Sequence, residues 1–211
     1  MKLGICMDGG EDAFIGVIEK RAKEAGRPIT YVELGVAYGE TLIGVWLALA
    51  QFAPGSRAIG IERPIWEGLN SIRDRFHAAC APFVEGPVGL DVPPGAVGLV
   101  LGYSQDVLNV PQWPYRIDVA FIDACHCRTC AREDFLAVEK WMEPGGIVIF
   151  HDAGEAEQTK DKIPVCNEGI DVRYALNELG LFENKRVGWT FDGILPTKHQ
   201  CAVFRRTPWA P

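Results

Sequence analysis

The chain has no apolar run long enough to cross a bilayer. Its longest, LIGVWLALAQFA at residues 42–53, falls short of the roughly 20 residues a spanning helix requires and suits a buried helix. The opening residues, MKLGICMDGGED, lack a basic stretch followed by a long apolar one. No signal peptide is therefore expected, and the cytoplasm is the expected compartment. Positive charge is also short. Lys and Arg total 21 against 28 Asp and Glu, for a net charge of −7. The basic pairs Lys160/Lys162 and Arg205/Arg206 are too small to track a phosphate backbone, so nucleic acid is not an expected partner. The seven cysteines are odd in number and irregular in spacing, which excludes a regular disulfide framework and favours reduced thiols. There are only four histidines, so any two that converge matter.

What is present suits a globular protein. Of 211 residues, 48% are hydrophobic and 23% charged, enough to build a core without a metal or disulfide. Helical spacing covers residues 11–26, and Gly26 and Pro28 end that helix. ITYVELG (29–35) reads as a strand, 39–52 as a helix, 57–62 as a strand and 65–80 as a helix. Residues 81–95 hold four prolines and read as a loop. Strands follow at 97–103 and 116–124, the first with a short helix after it. A helix at 132–142 and a Pro144-Gly145-Gly146 turn lead into a strand at 147–153. A helix at 171–179 precedes an antiparallel pair at 186–194 and 199–206. Strands alternating with helices predict a parallel sheet covered on both faces. One domain spanning 1–211 is expected, with a helical segment at 1–28 and a loop at 154–170 on the acceptor side of any site.

In open parallel sheets, ligands bind beyond the carboxyl ends of the strands, where strand order reverses. The turn after the first strand reads Glu33-Leu-Gly35-Val-Ala-Tyr-Gly39-Glu-Thr41. Gly35 permits a tight turn and close approach of a ligand, and Gly39 opens a helix whose amides can receive an anion. The spacing is not G-x-G-x-x-G, which counts against a nicotinamide-dependent oxidoreductase, the runner-up reading. Glu33 suits a ligand with a cationic amino-acid part. Glu62 ends the second strand, where a carboxylate can accept ribose hydroxyls. Ser104 and Gln105 follow the third.

Taken in order, E-x-G-x-x-x-G, an acid ending strand two, an acid ending strand four and P-G-G resemble a class I S-adenosylmethionine-dependent methyltransferase. FIDACH, Asp134 and EPGGIVIFHD narrow the resemblance to the family grouped with cephalosporin hydroxylase-like and macrocin-type O-methyltransferases. The resemblance implies an α/β, Rossmann-like sandwich of seven strands. Their order is 3-2-1-4-5-7-6, counted along the chain, with the seventh antiparallel. It implies S-adenosylmethionine as cofactor, a small-molecule acceptor and methyl transfer to oxygen. Glu33, Gly35, Gly39 and Thr41 would surround the methionine part, Glu62 the ribose, and Ser104 with Gln105 the adenine. Asp123 would stand at the end of the cofactor site.

A neutral hydroxyl acceptor must lose a proton. Asp123, His126, His151 and Asp152 end two neighbouring strands and can converge. His126 or Asp123 can serve as general base, with His151 as a third catalytic candidate. Alternatively, Asp123 and Asp152 hold a divalent ion such as magnesium. Cys125 stands where the family commonly has a second Asp, which removes a hard ligand. A strand-capping role for His151 is the structural alternative. The stretch DACHCRTC (123–130) also raises a thiol or metal-binding module centred on residues 125–130. Neighbours on an extended chain point oppositely, so Cys125, His126, Cys127 and Cys130 are not expected around one ion. Small residues at a strand-to-helix turn are the plainer reading. Trp66 and Trp113 are candidates to border an acceptor pocket.

Overall fold

The computed structural model describes residues 10–63, 69–79, 82–87, 89–154, 171–197 and 200–208. The elements are α1 (Glu11–Ala25), β1 (Thr30–Leu34), α2 (Glu40–Phe52), β2 (Arg57–Glu62), α3 (Leu69–Ala78) and β3 (Phe83–Gly86). They continue with β4 (Val97–Leu101), α4 (Ser104–Leu108), β5 (Ile117–Ile122), α5 (Arg128–Glu139) and β6 (Met142–Phe150). The last are α6 (Val172–Glu178), β7 (Trp189–Ile194) and β8 (Ala202–Arg206).

These strands form one sheet in the order β3-β4-β2-β1-β5-β6-β8-β7. The first six run parallel, and β8 runs antiparallel to both β6 and β7. The expected order is present with one strand added. Residues 81–95 are not all loop, because Phe83–Gly86 pairs with Val97–Val100 at the sheet edge. Four residues are too few to show a period among prolines. Tertiary contacts hold them instead: Phe83 packs on Phe76 with ring centroids 4.5 Å apart, and Glu85 accepts from Arg73 Nε at 2.8 Å.

Two more boundaries move. The Pro144-Gly145-Gly146 segment lies within β6, in the irregularity between the pairs Ile117↔Met142 and Val119↔Ile147. Gly145 takes φ 75 there, a value that favours glycine. Helix α5 begins at Arg128, four residues before the expected start, because Cys127 caps it.

Alternation along each buried strand serves both faces. Val32, Ile59, Ala120 and Ile122 join the core on one side of the sheet, and Tyr31, Ala58, Val119 and Phe121 the core on the other. At the amino end of β5, buried Asp118 binds Arg21 at 2.7 Å, Arg27 at 3.0 Å and the Thr30 amide at 3.1 Å. Helix α1 is thereby tied to the end of the sheet opposite the site. Among the described residues, no helix is long and apolar enough to cross a membrane.

Candidate functional site

Strand order reverses between β1 and β5, since β2 and β4 extend one way and β6 the other. A cavity of about 290 Å³ opens there, lined by Gly35, Glu62, Ser104, Gln105, Asp123 and Asp134 among others. Gly35 has φ 83, and a Cβ on it would come within 2.4 Å of the Asp123 carbonyl oxygen. Both facts require glycine at the crossing of the β1 and β5 loops.

Glu62 fastens the glycine loop. Its Oε2 accepts the amides of Val36 at 2.8 Å and Ala37 at 3.0 Å, and its Oε1 accepts that of Arg63 at 3.0 Å. Glu33 lies beneath the loop and is not among the residues lining the cavity. It accepts from the Tyr31 hydroxyl at 2.8 Å. Burial pushes its pKa well above the usual carboxylate range, the Tyr31 hydrogen bond opposes this, and the charges of Asp123 and Glu62 add to it. Gly39 and Thr41 are also absent from the cavity lining. Gly39 caps α2 in the left-handed conformation, and Thr41 is buried in that helix. Of the residues expected around the cofactor, Gly35, Glu62, Ser104, Gln105 and Asp123 line the cavity, and Glu33, Gly39 and Thr41 lie behind its wall.

Asp134 had a sequence signal only as a motif position. In the fold it is completely buried on α5. Its Oδ1 accepts from the Ser104 hydroxyl, and from Gln105 Nε2 at 2.6 Å. Its Oδ2 is buried with no partner. Burial lifts this carboxyl to a pKa of about 7, opposed by the Ser104 hydrogen bond.

Beside the cavity the two strand ends converge as expected. His126 Nε2 lies 2.9 Å from Asp123 Oδ1, and His126 Nδ1 lies 2.9 Å from Asp152 Oδ2. His151 Nδ1 is 2.9 Å from the same Asp123 oxygen and 3.5 Å from Asp152 Oδ2. Asp152 has φ 52, a left-handed conformation that costs an L-residue free energy and recurs at functional sites. Burial alone would lower both imidazoles. The two carboxylates outweigh it and raise each to about 9. Burial likewise opposes ionisation of Asp123 and Asp152, but hydrogen bonds from the two histidines bring both below the ordinary range.

The stretch 123–130 splits in two. Asp123 and His126 join His151, whereas Cys125, Cys127 and Cys130 gather their sulfurs separately within 4.8 Å of one another. The two groups do not share one site, as alternation requires. The meeting of all three sulfurs has no signal in the spacing alone. Trp113 does not border the pocket: it is packed in the core, edge-on to Tyr115 at 5.5 Å. Trp66 and residues 155–170, where the acceptor-side loop is expected, lie outside the described residues.

Residues 32–153, more than half of the chain, match the profile of a family described as a methyltransferase domain. No curated protein sequence matches significantly. Solved structures match across most of the chain. The O-methyltransferase TomG of Streptomyces achromogenes, solved with SAM, is 17% identical with a TM-score of 0.62, over 93% of this chain and 79% of that one. An O-methyltransferase from Bacillus cereus, solved with SAH, is 16% identical with a TM-score of 0.60, over 92% and 78%. A precorrin-6y C5,15-methyltransferase from Geobacter metallireducens is 11% identical with a TM-score of 0.57, over 93% and 88%. At such identities the likeness is one of fold, while the profile match spans the glycine turn and both strand ends of the site. The chain belongs to the methyltransferase-domain family.

Proposed function

We propose that the protein transfers the methyl group of S-adenosylmethionine to an oxygen of a small-molecule acceptor, sugars included. One observation carries this reading. Asp123 both lines the cavity and binds the two imidazoles, so the methyl donor and the acid–imidazole cluster would be neighbours. In the reaction, an acceptor oxygen attacks the methyl carbon. The carbon–sulfur bond breaks and its electron pair stays on sulfur, leaving S-adenosylhomocysteine. Positioning supplies much of the rate in such a displacement. Gly35 allows close approach, Glu62 holds the loop, and Ser104 with Gln105 would meet the adenine.

The acceptor hydroxyl also gives up a proton, and Asp123, His126 and His151 are placed to move it. The imidazoles, raised to about 9, accept it only in their neutral form, so turnover should climb with pH toward that value. O-methylating neighbours support oxygen as the acceptor atom, and a cluster able to move a proton is what oxygen requires. Asp123, His126 and His151 each offer a ligand atom within 4.8 Å of the others, and Asp152 adds a carboxylate beside them. This mixed nitrogen–oxygen set fits a borderline ion such as zinc better than magnesium, which prefers oxygen alone, and binding one would displace the imidazole protons. A bound ion of that kind supplies a lower pKa to a coordinated hydroxyl.

Calorimetric titration with S-adenosylhomocysteine tests the cofactor site. Failure of the folded protein to bind it would sink the proposal. His126→Ala should lower turnover and leave that affinity near normal. Equal loss of both would make His126 structural.

A further inference from the structure

The turn from β5 into α5 carries a second cluster, three cysteines that have no part in moving the acceptor's proton. The Sγ atoms of Cys125, Cys127 and Cys130 lie within 4.8 Å of one another, and none of the three is in a disulfide. Cys127 is buried, while Cys125 and Cys130 are partly exposed and line the cavity wall. Cys127 caps the twelve-residue helix α5, and its sulfur accepts the Cys130 amide at 3.4 Å. The positive end of a helix and an N–H aimed at sulfur both favour an anionic sulfur at this position.

We propose that Cys125, Cys127 and Cys130 form a binding site for one thiophilic metal ion, zinc or a softer ion, held by three thiolates. Sulfur ligands select such ions over magnesium or calcium. Zinc–sulfur bonds of about 2.3 Å put the sulfurs around one ion roughly 4 Å apart. The observed spacing therefore needs sulfur shifts of under about 1 Å, within reach of χ1 adjustments. Three metal–sulfur bonds form, and the thiol protons pass to solvent. No oxidant is needed, unlike closure of a Cys127–Cys130 disulfide. Three protein ligands leave a position for water. His126 is engaged with Asp123 and Asp152 on the other side of the turn, so it does not complete the set. A bound ion would brace the turn between Asp123, in the acid–imidazole cluster, and α5, which carries Asp134.

The test uses the full chain, stripped with chelator and reductant and then equilibrated with Zn²⁺ or Cd²⁺. One thiolate-bound ion per chain is expected, and the cadmium form should show the sulfur-to-metal charge-transfer absorption that carboxylates and imidazoles do not give. The triple variant Cys125→Ser/Cys127→Ser/Cys130→Ser should lose both signals. The partly exposed Cys130→Ser alone should lose most of the absorption with its far-ultraviolet dichroism unchanged, which separates ligand loss from misfolding. His126→Gln/His151→Gln should keep the charge-transfer signal. An unchanged band in the triple variant, its absence from the parent, or a loss of two titratable thiols without bound metal would overturn the proposal. Titration of the metal-free parent with S-adenosylhomocysteine reports on the methyl-transfer reading separately, since Cys125 and Cys130 line the cofactor cavity.

Discussion

Replacing Asp134 by Asn should change how stability depends on pH. The carboxyl is wholly buried and its pKa is raised to about 7, against about 3.9 for an unfolded chain. The folded protein therefore holds a proton that the unfolded chain has released between about pH 4 and 7. Stability from this group is largest at the acid end of that window and falls as pH rises to about 7. Three pKa units correspond to about 4 kcal/mol, an upper bound since the surroundings relax around a charge. Asn keeps the Oδ1 acceptor for Ser104 and Gln105 and cannot ionise. Its amide meets the place where Oδ2 has no partner, a pH-independent cost of about 1–3 kcal/mol. His126 and His151, raised to about 9, add stability below roughly pH 6.5 that is lost as pH climbs through 9. That term is common to both proteins and cancels in their difference. Urea unfolding of parent and variant from pH 5 to 8 reads the difference directly. The variant should gain on the parent by about 1.4 kcal/mol per unit up to pH 7, then run level. Parallel curves across that range would refute the reasoning.

Other outcomes follow from particular contacts. Gly35→Val should abolish S-adenosylhomocysteine binding in calorimetry, because its first side-chain carbon would lie 2.4 Å from the Asp123 carbonyl oxygen at φ 83. Retained affinity would mean the loop is not against the ligand. Asp118→Ala should cost about 3–5 kcal/mol in denaturant unfolding, since it leaves the buried Arg21 without its partner. Arg27 is half-exposed and adds little to that figure. Glu62→Ala should weaken S-adenosylhomocysteine binding, with slower association as the mark of a loop no longer held. An unchanged association rate would assign Glu62 to ligand contact alone.

The central strands were legible because each is a short, mostly apolar segment of five or six residues bounded by turn residues, and their alternation with helices is enough to imply the sheet. β3 was not, since four residues between prolines are held by Phe76 and Arg73 from α3, a contact no local pattern encodes. The start of α5 was missed because a cysteine is not an ordinary helix cap. Period-two alternation correctly separated His126 from its cysteine neighbours. It could not bring Cys130 to Cys125, since Cys130 lies one helical turn further on. The role of Asp134 depends on Ser104 and Gln105, some thirty residues earlier, and only the folded chain brings them within reach.

Glu62 has a kinetic consequence. It already occupies the amides of Val36 and Ala37, so the glycine turn is assembled by the fold and does not wait for a ligand to organise it. A nucleoside entering the cavity loses its own freedom and its water, while the turn has little chain entropy left to give up. The encounter is that of a lock already cut, and selectivity there rests on shape from the first collision.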